Sequence, residues 1–320
     1  MDSALVSIII PVYNKGRYVE QCLQSVSRQT YRNIEIIIVN DGSTDESEDI
    51  CLLFCDAEPR ALYKSTKNSG VSAARNTGLS LATGNWVCFL DADDFYADIF
   101  VEELLSCVIK QDSQLGVLVK CSIRPLTECF KREYLMRYEA LDLLSELYLP
   151  ASVWGGIYKR DTLAGCVFRE DVHFFEDFLF IYEFICGIDN VSLCYNEGLY
   201  NYQANDSSIN SSTINSKRMS SLLIIPYIES LGIYVSPKLA FIQAHIIISL
   251  LLAYCKAANR GKEYGLQIQS AAKDYVRNKR RDVAIPLSYM LFIRLAVADT
   301  ELAAAIIKVA LWLRERWFRL

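Results

Sequence analysis

Four apolar runs alternate with helical stretches in the N-terminal part of the chain: Val6–Val12, Ile34–Val39, Ala61–Lys64 and Trp86–Leu90. Short apolar runs bounded by turn residues read as buried strands. Between the first two, Arg17–Gln29 sets Tyr18, Cys22, Leu23 and Val26 on one helical face. The second run enters Asn40-Asp41-Gly42-Ser43-Thr44-Asp45. Gly42 permits a tight turn there, and Ser43 or Thr44 is the expected cap of the next helix. A third helix opens at Ser69-Gly70. Further on, Ala97–Lys110 and Ala140–Leu149 read as helices and Gly116–Cys121 as a strand. Strands alternating with helices predict an α/β fold. Its central sheet is mostly parallel, flanked by helices and joined by right-handed crossovers.

The fourth run ends in Asp91-Ala92-Asp93-Asp94. Ligands of open α/β sheets bind at the carboxyl ends of the strands. If the strand continues to this point, Asp91 and Asp93 share one face. Two like charges aimed at one point call for a cation, and hard oxygen ligands suit Mn²⁺ or Mg²⁺ shared with phosphate. The plainer alternative is a solvated acidic turn capping a helix near Ala97.

Charge divides the chain. Residues 1–237 carry a net −13 and residues 238–320 a net +8. Asn205–Ser216 is rich in Ser and Asn and marks a boundary, giving domains 1–215 and 216–320, the second helical. Leu239–Cys255 is 17 residues without a charge. That is short for a span of about 20 residues, so a buried core helix is expected. The tail, Leu311–Arg319, mixes Trp312, Trp317 and Phe318 with Arg314, Arg316 and Arg319. That mixture suits the interface of an anionic membrane, and the competing expectation is core packing or a homodimer. No nucleic-acid motif accompanies the basic region. Eleven scattered Cys, an odd number, and no signal peptide point to a reducing cytosol.

The order of the motifs resembles the inverting glycosyltransferases of family 2, with a GT-A fold, over about residues 5–210. The resemblance is carried by Ser7–Asn14, Ile38–Asp45, Asn68-Ser69-Gly70 with Ala74–Gly78, Leu90–Asp94, Trp154 with Tyr158-Lys159-Arg160, and Glu176-Asp177. It is nearest to bacterial enzymes that build capsule, O-antigen or exopolysaccharide units. It implies that Pro11, Tyr13, Asp41 and Arg75 bind the nucleotide of a UDP-sugar. It further implies that Asp91 and Asp93 hold Mn²⁺ or Mg²⁺, with Asp94 behind them. Asp177 is then the general base, with Glu176 orienting it or the acceptor. Phe174, Phe175, Phe178 and Phe180 are expected to surround Asp177 and raise its pKa. Gln203 departs from the family, whose members often carry an arginine there. Arg316-Trp317 lacks the preceding glutamine of processive members, so single-sugar addition is implied. The implied acceptor is a saccharide, expected to be lipid-linked and met at the cytoplasmic face of the membrane.

Other classes fit less well. A non-catalytic sugar-nucleotide-binding subunit has no need of Asp177. A nucleotidyltransferase needs a Gly-rich loop after the first strand, and Pro11–Gly16 is not one. A dinucleotide oxidoreductase needs a GxGxxG after a strand, which is absent.

Overall fold

The structure, a computed structural model, describes residues 4–119, 133–147, 149–196, 198–202, 214–231, 238–257, 261–278, 287–300, 303 and 306. The chain divides into two compact units. The first comprises Met1–Leu144, Tyr148–Glu170 and Glu176–Ala204; the second comprises Ser145–Leu147, Asp171–Phe175 and Asn205–Leu320.

In the first unit the elements run β1 (Val6–Val12), α1 (Gly16–Ser27), β2 (Ile34–Asn40), α2 (Ser47–Ala57), β3 (Ala61–Ser65), α3 (Val71–Leu81) and β4 (Trp86–Phe89). They continue with β5 (Phe95–Tyr96), α4 (Phe100–Lys110), β6 (Leu115–Leu118), β7 (Tyr134–Met136), α5 (Arg137–Ser145), β8 (Gly156–Lys159), α6 (Glu176–Cys186), β9 (Asn190–Cys194) and β10 (Tyr200–Asn201). Eight strands form one sheet in the order β3-β2-β1-β4-β8-β6-β9-β7, and β10 pairs with β5. From β3 to β4 every pair is parallel. Strand β8 is antiparallel to both β4 and β6, and β7 to β9, while β6 and β9 are parallel.

Strand β1 is buried along its whole length because helices cover both its faces. Val6, Ile8, Ile10 and Val12 pack with Val19, Cys22, Leu23 and Val26 of α1. Burial of each such aliphatic side chain contributes roughly 1.5–3 kcal/mol. On the other face Ile9 meets α3 at Gly78, where a Cβ would lie 2.3 Å from Ile9 Cγ2. The chain steps outward from β1 to β2 and β3, then returns to place β4 on the other side of β1. That reversal is the switch point at which such sheets open a crevice. Pairing of β1 with β4 stops at Ile9↔Phe89, so Pro11 lies beyond the ladder and its missing N–H costs no bond to β4.

The second unit holds α7 (Ser216–Met219), α8 (Ile224–Ser230), α9 (Leu239–Lys256), α10 (Lys262–Asn278) and α11 (Leu287–Ala298). Helix α9 is, among the described residues, the one helix long and apolar enough to cross a membrane; its mean hydropathy is 1.7 and 61% of it is buried. Gly265 lets α10 approach it, since a Cβ there would lie 2.9 Å from the Tyr254 hydroxyl oxygen. Thr300 donates to the Gly265 carbonyl at 3.1 Å. Gln203, Trp312, Arg314, Arg316, Trp317, Phe318 and Arg319 lie outside the described residues, so the membrane expectation for the tail rests on sequence.

Candidate functional site

The expected site residues of the first unit gather at the carboxyl ends of β1, β2 and β4. Tyr13 and Lys15 follow β1, Asp41 follows β2, and Asp91 and Asp93 follow β4. The β1–α1 and β2–α2 loops are stapled together. Asn14, with a left-handed φ of 51°, donates its N–H to Ser43 Oγ at 3.1 Å and accepts from Thr44 N at 2.8 Å. Lys15 N donates to Ser47 Oγ at 2.8 Å, and Gly16 N to Asp45 Oδ2 at 3.0 Å. Ser43 and Thr44 therefore serve the neighbouring loop. The residue before α2 is Glu46, whose side chain makes no cap bond; Asp45 Oδ1 accepts from Ser47 N, the first of the helix, at 3.1 Å.

Asp41 is 3% exposed and organises the loop ahead of α3. Its Oδ1 accepts from Ser69 N at 2.9 Å and its Oδ2 from Gly70 N at 2.8 Å. Gly42 adopts φ +71°, and a Cβ there would stand 2.9 Å from Asn68 N, so the close approach of that loop needs glycine. Tyr13 is 45% exposed and offers an uncovered ring face.

The acidic segment differs from expectation in its geometry. Strand β4 ends at Phe89, two residues before Asp91, so strand alternation does not align Asp91 with Asp93. The chain turns there, with Asp94 N donating to the Asp91 carbonyl at 3.0 Å. Helix α4 begins at Phe100, so the acidic turn is not the start of a helix at Ala97. Asp94 is 2% exposed and accepts from the Tyr200 hydroxyl, whose ring stacks on Trp154 at 4.0 Å. Burial, then the charges of Asp91 and Asp94, hold the Tyr200 hydroxyl far above its usual pKa and keep it a donor.

Arg75 of α3 ties the segment to α6. Its Nη2 donates to Asp91 Oδ1 at 2.9 Å and its Nη1 to Asp177 Oδ1 at 2.6 Å, with Glu176 Oε1 3.5 Å away. Its side chain is 4% exposed and lies over the Phe168 ring at 5.2 Å. Burial alone would lower the Arg75 pKa, but the charges of Asp177, Asp91 and Glu176 outweigh it and raise it. The Nε of Arg75 is buried without a hydrogen-bond partner among the described residues. Asp177 Oδ2 accepts from Val153 N at 3.1 Å. Burial pushes the Asp177 carboxyl up to about 7, against the pull of Arg75. Burial likewise raises Glu176.

Of the four phenylalanines expected around Asp177, Phe178 and Phe180 are buried in the first unit, Phe180 stacked on Phe168 at 4.0 Å. Phe174 and Phe175 belong to the second unit. There Arg218 lies over Phe174 at 4.5 Å, and the Phe175 ring meets His245 edge-on at 5.9 Å. Phe175 itself has a left-handed φ of 65°.

One residue of the site had no role assigned from sequence. Lys15 Nζ lies 2.5 Å from Asp93 Oδ2. The two are 78 positions apart, and no local pattern signals the pair. The Val153 N–H escaped notice for the same reason, being a backbone group.

Asp91 and Asp93 fit a hard divalent cation in one respect: each already has a protein cation, Arg75 or Lys15, standing against it. Among the described residues no group of three or more His, Cys, Asp or Glu surrounds a common point. Two carboxylates alone match a cation whose remaining ligands are phosphate oxygens and water. The nine described cysteines are all free.

Residues 7–136 match the model of glycosyl transferase family 2. EpsJ of Bacillus subtilis, an uncharacterised glycosyltransferase, is 32% identical over 219 residues, covering 64% of this chain and 62% of EpsJ. Other curated relatives are matched over smaller shares of their length, 24% and 38% for two of them, so the chain spans less than two thirds of each. Among solved structures, S. aureus TarS in complex with UDP-GlcNAc superposes with a TM-score of 0.65 at 18% identity, covering 93% of this chain and 89% of that one. The mannosyltransferase PcManGT of Pyrobaculum calidifontis, in complex with GDP-Man and Mn²⁺, gives 0.56 at 18% identity, covering 94% and 86%. The motifs at Tyr13, Asp41, Arg75 and Asp91 lie inside the matched segment, the α/β sheet with its flanking helices is the GT-A fold, and over residues 7–136 the chain matches glycosyl transferase family 2.

Proposed function

We propose that this chain moves a single hexose or N-acetylhexosamine from a UDP-sugar to a hydroxyl of a saccharide acceptor, with inversion at the anomeric carbon. The observation that carries the reading is the Arg75 bridge. It links Asp91, at the switch point of the sheet, to a buried carboxylate whose pKa is raised toward neutrality.

In this reading Tyr13 stacks on the base, while Pro11 and Asp41 shape the floor and loop around it. Asp91 and Asp93 hold Mn²⁺ or Mg²⁺, which when bound neutralises charge on the departing diphosphate. The Nε of Arg75 is a donor left for a ligand oxygen. Asp177, fixed by Val153 N–H and Arg75, takes the proton of the acceptor hydroxyl. The acceptor oxygen bonds to the anomeric carbon as that carbon's bond to the diphosphate breaks. The electron pair leaves with UDP. Glu176 orients Asp177 or the acceptor. Support for a nucleotide-sugar donor comes from the TarS and PcManGT complexes, which hold UDP-GlcNAc and GDP-Man with Mn²⁺.

EDTA should abolish transfer, and Mn²⁺ or Mg²⁺ should restore it. Asp93→Ala should weaken UDP binding only when metal is present. Full activity in EDTA would refute the metal assignment.

We further propose that the enzyme works at the cytoplasmic face of the membrane on a lipid-linked acceptor, in polysaccharide synthesis. The net +8 of residues 238–320 and the Trp/Arg tail support this. In flotation, the full chain should bind anionic liposomes at low salt and lose them at high salt. A chain ending near Thr300 should bind less. Binding indifferent to lipid charge, salt and tail removal would contradict the proposal.

A further inference from the structure

We infer that Lys15 is a tethered counter-cation of the Asp91/Asp93 pair, which a metal ion must displace, so that tight metal binding waits for the diphosphate. The inference rests on the assignment of Asp91 and Asp93 as metal ligands.

The two carboxylates are neutralised in different ways. Arg75 on Asp91 is fixed: its side chain is 4% exposed and it also holds Asp177. Lys15 on Asp93 is not. Its side chain is 22% exposed, and nothing but the ion pair at 2.5 Å holds its ammonium among the hydrogen bonds of the described residues. Its backbone, by contrast, is pinned. Lys15 N bonds Ser47 Oγ, and its neighbours Asn14 and Gly16 are bonded to Ser43, Thr44 and Asp45. Movement is thereby confined to the flexible four-carbon stem.

A divalent ion on Asp93 would meet the ammonium within bonding distance of the same oxygen. Like charges that close repel strongly in a partly covered site. The ammonium must leave, and it needs another anion to leave for. Lys15 stands at the carboxyl end of β1, across the crevice from the end of β4, on the path that links the Asp41 loop to Asp91. A nucleoside diphosphate lying there offers its phosphate oxygens to the ammonium. Binding the diphosphate then frees Asp93, and metal affinity rises. By linkage, metal raises diphosphate affinity by the same factor. The device keeps the carboxylates neutral before the donor arrives and keeps free metal from occupying the site alone.

The test measures Mn²⁺ binding by the loss of the free-ion EPR signal, with the full chain, with and without UDP. In the native chain Mn²⁺ should bind weakly alone and tightly with UDP. In Lys15→Met, Mn²⁺ alone should bind on the order of tenfold or more tightly than in the native chain. The gain produced by UDP should shrink by the same factor. Lys15→Arg keeps a cation and should keep the native pattern, which a purely structural role of the stem would not predict. Lys15→Gln serves as a second neutral variant, and thermal melting establishes that each variant is folded. If the neutral variants bind Mn²⁺ alone no better than the native chain, while all bind it with UDP, the role of Lys15 is overturned and the metal site stands. If no form binds Mn²⁺ with UDP, the metal assignment itself falls, and this inference with it.

Discussion

Replacing Asp177 by Asn should lower turnover by about 10²–10⁴-fold while leaving UDP-sugar affinity nearly intact. The amide has the size and shape of the carboxylate and can still accept from Val153 N–H. It cannot take a proton from the acceptor hydroxyl. Because burial raises the Asp177 carboxyl to about 7, kcat/KM of the native enzyme should fall as pH drops below neutrality, where the base is protonated. Asp177→Asn should abolish that limb. The same shift has a stability sign. A carboxyl whose folded pKa lies above its unfolded value favours the folded state most at low pH, and that contribution is lost as pH rises from about 4 through 7. If Asp177→Asn turns over normally, the base lies elsewhere. Glu176 is then next, being raised by burial and 3.5 Å from Arg75.

Arg75→Met should be the most damaging single change to stability in the site. It removes the one cation that Asp91, Glu176 and Asp177 share. Breaking a buried ion pair from one side typically costs about 3–5 kcal/mol, because the partner charge is left uncompensated. Asp91 is 31% exposed, so water offsets part of its loss; Asp177 and Glu176, at 15% and 16%, have less relief. Against a typical total stability of about 5–15 kcal/mol, the variant should melt far lower or fail to accumulate. Loss of Arg75 also removes the charge that holds the Asp177 pKa down. Any activity that survives should therefore move to higher pH. Arg75→Lys keeps the charge but not the fork, and should recover stability better than activity. An unchanged melting temperature and pH profile in Arg75→Met would show that the bridge is not what holds the cluster.

What the sequence disclosed and what it hid follow from range. Strands β1, β2 and β4 were legible because each is a bounded apolar run buried on both faces, while β3 is a short, partly exposed edge strand marked by its place between two helices; their parallel order follows from the intervening helices. Strands β6 to β9 are only three to five residues each; β6 was read, as Gly116–Cys121, but not its pairing, and β8 runs antiparallel to both its neighbours. That half of the sheet is specified by pairing across distant segments, which periodicity does not reveal. The acidic turn after β4 was found by composition, but its geometry was not. The Asp91–Asp94 turn and the Tyr200 hydroxyl, 106 positions from Asp94, set it. Arg75 was singled out as a ligand for base or phosphate. Its span of 102 positions to Asp177 could be seen only in three dimensions. Phe174 and Phe175 read as part of one aromatic run with Phe178 and Phe180. Phe174 and Phe175 nevertheless belong to the other unit.

The central claim, that this site transfers a sugar with inversion, is tested most directly by following UDP-sugars by proton NMR with a saccharide acceptor and Mn²⁺, with GDP-mannose as a control donor. The donors carry α-linked sugars. The account predicts that one UDP-sugar is consumed only when acceptor is present, that UDP is released, and that the first product formed is the β-anomer. A first product with the α-configuration, or consumption of no UDP-sugar while GDP-mannose is consumed, would contradict it.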